Sequence, residues 1–124
     1  MIIENNSNTT EEILEVVKEA LLDKKAVDIK VVDLREVDGA TFNFFVIANG
    51  TSDIHVGALA RNVEDKMIEE IGLKPFHAEG LNSLNWVLLD YFDVIVHVFK
   101  EETRKFYNLE GLWADASIDS IEDK

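Results

Sequence analysis

A few places in this sequence hold residue types that could bind a ligand or carry a reaction. Gly50-Thr51-Ser52 stands between an apolar run and a helical pattern, where backbone amides at a helix start could hold a phosphate. It lacks the Gly-Lys-Ser/Thr ending of a phosphate-binding P-loop. Nucleotidyl transfer from a Gly-Ser at this location would need two alternating carboxylates on the following strand, holding the metal ions that support phosphoryl transfer. The following segment reads Phe76-His77-Ala78-Glu79 and offers one. Helix capping is the simpler use of these residues.

His77 and Glu79 lie two apart, so on a strand they share a face. The His-x-Glu spacing is that of zinc deaminases, but those also need a downstream cysteine pair, and the chain has no cysteine. A third ligand would have to come from elsewhere, for instance His97. Two alternating polar residues on a partly exposed strand are the commoner explanation, and no metal or cofactor is expected. His55, near a helix start, has no partner suggested by spacing and reads as a surface residue. Ser52, Asp53 and His55 cluster locally, which says nothing about a catalytic triad, because triads are assembled by the fold.

Trp86-Val87-Leu88-Leu89-Asp90-Tyr91 carries a different signal. Alternation sends Trp86, Leu88 and Asp90 to one face and Val87, Leu89 and Tyr91 to the other. Both faces are substantially apolar. Either helices cover both, or one is a docking surface with an aromatic anchor beside a carboxylate.

These residues must be positioned by a regular framework, and the rest of the pattern supplies one. Thr9 to Glu12 has capping-box spacing, and Ile13, Val17, Ala20 and Leu21 follow at helical intervals. That predicts a helix over 10–24. Val- and Ile-rich Ala26 to Leu34 predicts a strand, Asp38-Gly39 a turn, and the nearly unbroken apolar run Phe42 to Ala48 a central strand. Val56, Leu59, Ala60, Val63, Met67 and Ile71, closed by Gly72 and Pro75, predict a helix over 53–71. Strands are predicted over 75–79, 85–91 and 93–99, the last two joined as a hairpin, then a helix over 101–109. Phe106, Leu109 and Trp113 are expected to face the core. The result is one α/β domain over 9–116, a mixed sheet of about five strands packed with helices. Residues 1–8 read as a flexible leader, and 117–124, acidic and without aromatics, as a disordered tail.

Composition narrows the function. The 124 residues suit a single core. The lack of cysteine removes disulfides and thiolate chemistry. The longest apolar run, Phe44 to Ala48, is far short of the roughly 20 residues that span a membrane. The polar, acidic N-terminal residues carry no secretion or transit pattern, so a cytoplasmic location is expected. Acidic residues outnumber basic ones 25 to 12, for a formal charge of −13. That balance argues against direct nucleic-acid binding and would attract a basic protein partner, although keeping the protein soluble is the commoner use of such charge.

Taken together, the segments resemble the ribosomal silencing factor family (RsfS, Iojap-like). The matching blocks are Asp28-Ile29-x-Val31-Val32-Asp33-Leu34-Arg35, Phe45-Val46-Ile47-Ala48-Asn49-Gly50-Thr51-Ser52 and Glu79-Gly80-Leu81. Trp86 through Phe99 and Arg104-x-Phe106-Tyr107-x-Leu109-Glu110-x-Leu112-Trp113-x-Asp115-Ala116 complete the series in family order, over roughly residues 10 to 116. The resemblance implies a nucleotidyltransferase-like fold without the catalytic carboxylates, and a protein that catalyses no reaction. It implies binding to protein fourteen of the large ribosomal subunit, steric blocking of subunit joining when nutrients are scarce, and often a homodimer. Carried over, the contact positions are Trp86, Leu88 and Asp90, with Asp93 and His97 beside them. Two positions depart from the pattern. Phe92 stands in the hairpin turn where the family usually has Gly, and Asn43 replaces a family Asp. The alternative reading is a nucleotide-binding or nucleotidyltransferase-type enzyme, motivated by Gly50-Thr51-Ser52.

Overall fold

The structure, a computed structural model, describes residues 9–113 and 116–121. Helix α1 covers Thr10–Asp23, and its start is fixed by the expected capping box: Thr9 accepts from the Glu12 amide while the Glu12 carboxylate accepts from the Thr9 amide. Strands β1 (Val27–Asp33) and β2 (Phe44–Gly50) follow, then helix α2 (Asp53–Ile71). Ser52 caps α2, and Gly72 ends it at φ +67°, a left-handed conformation that Gly adopts without a Cβ clash. The second half holds β3 (His77–Glu79), β4 (Trp86–Tyr91), β5 (Val94–Lys100), α3 (Glu101–Tyr107), α4 (Leu109–Leu112) and β6 (Ser117–Ile121).

The strands form one mixed sheet in the order β3-β4-β5-β2-β1-β6. β2 and β5 at its centre run parallel, and every other pairing is antiparallel. Period-two alternation divides the apolar residues between two faces. One face carries Ile29, Val31, Phe44, Val46, Ala48, Val87, Leu89, Val94, Val96 and Val98, and α1 and α2 cover it with Val17, Leu21, Leu59, Val63 and Met67. The other carries Val32, Leu34, Phe45, Ile47, Ile95 and Phe99, closed in part by Leu109 and by the half-buried Val37, Phe42 and Trp113. Each fully buried aliphatic side chain contributes roughly 1.5–3 kcal/mol against exposure, so the helix-covered face is the main source of stability.

Several expectations need correction. The tail was expected to be disordered, yet Ser117–Ile121 forms an edge strand on β1, with Lys30 Nζ donating to Ser120 Oγ at 2.8 Å. The unpaired edge of β1 needs hydrogen-bond partners, and Ile118 and Ile121 suit a strand even in an acidic segment. Residues 1–8 and 122–124, the expected leader and the tail's end, lie outside the described residues.

The expected helix over 101–109 breaks at Asn108, which takes φ +47°. Leu109 faces the core as expected and Trp113 is half-buried against Phe45, but Phe106 points to solvent at 81% exposure. The buried residue of α3 is Arg104, two positions and about 200° of helix away from Phe106. Arg104 is held because its guanidinium finds acceptors inside. Nη1 donates to the Asp28 carbonyl at 2.6 Å and to Asn49 Oδ1 at 2.9 Å, and Nη2 to Glu110 at 3.0 Å. The Asp28 carbonyl is turned towards it by a bulge in β1, where the pairing slips between Val27 and Lys30 and Asp28 takes φ +52°.

Candidate partner-binding site

β4 is where the two faces of the sheet diverge. Val87, Leu89 and Tyr91 are buried under the helices, while Trp86, Leu88 and Asp90 are half-buried on the opposite side. The helices seal one face of this segment and leave the other partly open. The opening continues onto β3. In register, His77 stands beside Asp90 and Glu79 beside Leu88, so all five side chains lie on one face. Helices α3 and α4 cover this face further in, leaving a strip along β3 and β4.

Trp86 is the best-organised residue of the strip. Its ring packs on Phe99 at 4.7 Å and Tyr107 at 4.9 Å between centroids, and its Nε1–H donates to His97 Nδ1 at 3.0 Å. Its backbone is fixed as well. Gly80, at φ +85°, lies so close to the Trp86 carbonyl that a Cβ there would sit 1.9 Å from the oxygen. Glu79-Gly80-Leu81 therefore contains a glycine required by the strand that carries Trp86. The indole stands between two depressions. One, of about 230 Å³, is lined by Glu79, Gly80 and Leu88, and the other, of about 480 Å³, by residues of α3 and the β3–β4 loop.

His97 is only 4% exposed, so it meets the surface through Trp86 rather than directly. Burial pushes its pKa down to about 4, keeping it neutral. Accepting the indole proton at Nδ1 places the imidazole's own proton on Nε2. That atom is buried with no hydrogen-bond partner among the described residues, with the Phe45 ring edge-on to the imidazole at 4.7 Å. A neutral His97 therefore acts as a fixed acceptor orienting Trp86.

Asp90 and Asp93 differ. Asp90 Oδ1 accepts from the Phe92 amide at 2.8 Å, bracing the hairpin turn, and its second oxygen makes no hydrogen bond among the described residues. Asp93 is exposed at the hairpin end opposite Trp86, and its Oδ2 accepts from Thr10 Oγ1 at 3.2 Å. Its backbone carbonyl accepts from the Asn43 and Phe44 amides. The fold thus brings Trp86, Leu88 and Asp90 together, places His97 behind them, and sets Asp93 apart. Phe92 takes φ +70°, so the position where the family pattern has Gly does require a positive φ.

The residues that suggested enzyme chemistry have structural uses. Ser52 Oγ accepts from the His55 amide at 3.1 Å, and the Thr51 amide donates to His55 Nδ1 at 2.9 Å, so two amides near a would-be phosphate are already engaged. His55, expected as a surface residue, is half-buried, and its Nε2–H donates to the Lys24 carbonyl at 2.8 Å, tying α1 to the start of α2. Gly50 packs against α2, where a Cβ would meet Val56 N at 3.0 Å. His77 and Glu79 do share a face and pair at 2.6 Å. Leu88 separates Glu79 from His97 across two strands, and the described residues contain no group of three or more potential ligands. Sequence reasoning missed Arg104, Asn49 and Tyr107. Only the aromatic pair Phe106-Tyr107 on a short helix could have pointed to the last.

No helix among the described residues is long and apolar enough to cross a membrane. A family model described as "Ribosomal silencing factor during starvation" matches residues 7–124. A "Ribosomal silencing factor RsfS" of Bacillus subtilis is 38% identical over 110 residues, covering 89% of this chain and 92% of the relative. One from Halalkalibacterium halodurans is 35% identical over 114 residues, 92% of this chain and 96% of the relative. Among solved structures, a Chromobacterium violaceum protein superposes with a TM-score of 0.80 at 36% identity, over 86% of this chain and 88% of that one. A Bacillus halodurans protein gives 0.75 at 33% identity, over 91% and 99%. With this match in sequence and fold, the chain belongs to the ribosomal silencing factor family.

Proposed function

We propose that this chain represses translation by binding the large ribosomal subunit and sterically preventing the small subunit from joining, without catalysing a reaction. Its contact on the ribosome is protein fourteen of the large subunit, its setting is the cytoplasm, and it acts when nutrients are scarce. The observation that carries this reading is the open strip Trp86–Leu88–Asp90, an oriented aromatic anchor beside a carboxylate on a chain of formal charge −13. A buried Trp anchor supplies much of the affinity of a protein interface, and acidic charge draws in a basic partner. The names of its relatives point the same way. A homodimer is part of this proposal, and light scattering at micromolar concentration would detect it.

The test is to mix the purified protein with separated subunits and follow reassociation on a sucrose gradient. The protein should comigrate with the large subunit while the joined peak falls. If it stays at the top of the gradient and joining proceeds, the reading is wrong. The enzymatic alternative, nucleotide binding near Gly50-Thr51-Ser52, gains no support from amides already engaged within the chain. It would be revived by a rise in Tm with nucleoside triphosphate and magnesium.

A further inference from the structure

The second depression beside Trp86 differs from the strip in chemistry. It lies between α3 and the β3–β4 loop, and Trp86, Phe106, Tyr107 and Glu102 line it together with the polar rim residues Ser83 and Asn85. Phe106 is 81% exposed and Tyr107 50%, their rings meeting edge to face at 5.1 Å. An exposed Phe on a short helix gives nothing to the fold, because Arg104 is the residue through which α3 is buried. The Glu102 carboxylate is exposed and makes neither hydrogen bond nor ion pair among the described residues. Of the nearby bases, Lys105 pairs with Glu101 at 3.4 Å, and Lys100 pairs with Asp53 at 2.7 Å and interacts with the Glu102 charge only at longer range.

We infer that this cleft receives an arginine side chain of the ribosomal partner, extending the interface from β4 onto α3. The inference rests on the proposed docking reading and adds an occupant to it. An apolar side chain would satisfy the three rings but would leave the Glu102 carboxylate desolvated with no direct ion-pair partner. A cation satisfies both, since aromatic faces attract it and the carboxylate pairs with it. Arginine fits better than lysine because its planar guanidinium stacks on rings while its fork engages a carboxylate. The net charge of −13 favours the same partner at long range.

The experiment measures affinity for isolated large subunits at several salt concentrations, using wild type, Glu102→Gln, Phe106→Ala and Trp86→Ala. Both Glu102 and Phe106 are exposed, so Tm should stay at the wild-type value. Expected are losses of roughly tenfold for Glu102→Gln and for Phe106→Ala, with a shallower salt dependence for Glu102→Gln alone. Glu102→Asp should recover part of the affinity. If Phe106→Ala weakens binding and Glu102→Gln does not, the occupant is apolar and the arginine assignment falls. If only Trp86→Ala weakens binding, the cleft is outside the interface while the docking reading survives. If wild type itself does not bind, the docking reading fails and this inference with it.

Discussion

The two faces of β4 are built from the same alternation, yet one is sealed and the other is not. Val87 and Leu89 are fully buried and Tyr91 is 1% exposed, whereas Trp86, Leu88 and Asp90 keep part of their surface in water. The difference arises from what packs above them. α1 and α2 are long amphipathic helices that cover the full width of the sheet on one side. On the other, only the short α3 and α4 and the β1–β2 connection are available, and they stop before reaching β3. Apolar alternation on a strand marks a face that needs covering, and the supply of helices decides whether the chain or a partner covers it.

The largest effect should come from the sealed face. Leu89→Ala leaves a cavity beneath α1 and α2 and should cost about 2–5 kcal/mol of stability by urea unfolding. If the two faces are functionally distinct, folded Leu89→Ala protein should bind large subunits normally once temperature is lowered to keep it native. Weakened binding by fully native protein would mean that the faces are not separable.

On the open face the balance reverses. Trp86→Ala should weaken binding to large subunits by about 2 kcal/mol or more, roughly thirtyfold, through loss of a central aromatic anchor. Its stability cost should be smaller than that of Leu89→Ala, because Trp86 is only half-buried. Trp86→Phe keeps the packing on Phe99 and Tyr107 but loses the hydrogen bond to His97, and should fall between. Unchanged affinity in Trp86→Ala would remove this residue from the interface.

What could be read in the sequence follows the range of the interaction that determines it. The bounds of α2 were legible because Ser52, the heptad-like apolar spacing and Gly72 all act within a few residues of the chain. So was the membership of Trp86, Leu88 and Asp90 in one face, which alternation fixes. Which face stays open was not legible, because that depends on how far α3 and α4 reach. The strand Ser117–Ile121 was missed because its cause is the unpaired edge of β1, roughly 90 residues earlier, and acidic composition pointed elsewhere. The inward turn of Arg104 was hidden for the same reason. Its acceptors on Asp28, Asn49 and Glu110 come together only in the fold, and without them Phe106 is the more natural core residue.

His97 links the two faces of this comparison, since it is buried like the sealed face but serves the open one. Burial lowers its pKa to about 4, against 6.5 for an unperturbed histidine. Between these values the unfolded chain takes up a proton that the folded chain does not, so stability must fall as pH falls through the window. At pH 5 the loss should be about 2 kcal/mol relative to pH 7.5. Asp33, whose pKa is lowered chiefly by its hydrogen bond to Arg35, acts below its usual 3.8 and outside the window. Glu64 and Glu70 shift upward and contribute with the opposite sign, equally in a His97→Gln variant. Comparing urea unfolding of wild type and His97→Gln at the two pH values isolates the histidine. Equal losses in both proteins would show that His97 is not held neutral.

The smallest expected effect lies at the turn that ends β4. Phe92 takes φ +70° and Asp93 does not take a positive φ, the sign pattern of a type II′ turn, whose first central position favours Gly. A left-handed φ costs a non-glycine residue about 1–2 kcal/mol. Offsetting this, Phe92 packs on Phe76 at 4.6 Å, though both rings are largely exposed, and Gly would carry more entropy in the unfolded chain. Phe92→Gly should therefore raise stability by only about 0.5 kcal/mol, seen as a small rise in Tm. Asp90 braces this turn through the Phe92 amide, a bond that Gly can also make, so affinity for large subunits should not change. A fall in Tm would mean that the Phe76–Phe92 contact outweighs the strain. A fall in affinity at unchanged stability would instead place the aromatic pair within the open face, carrying the interface around the end of β4.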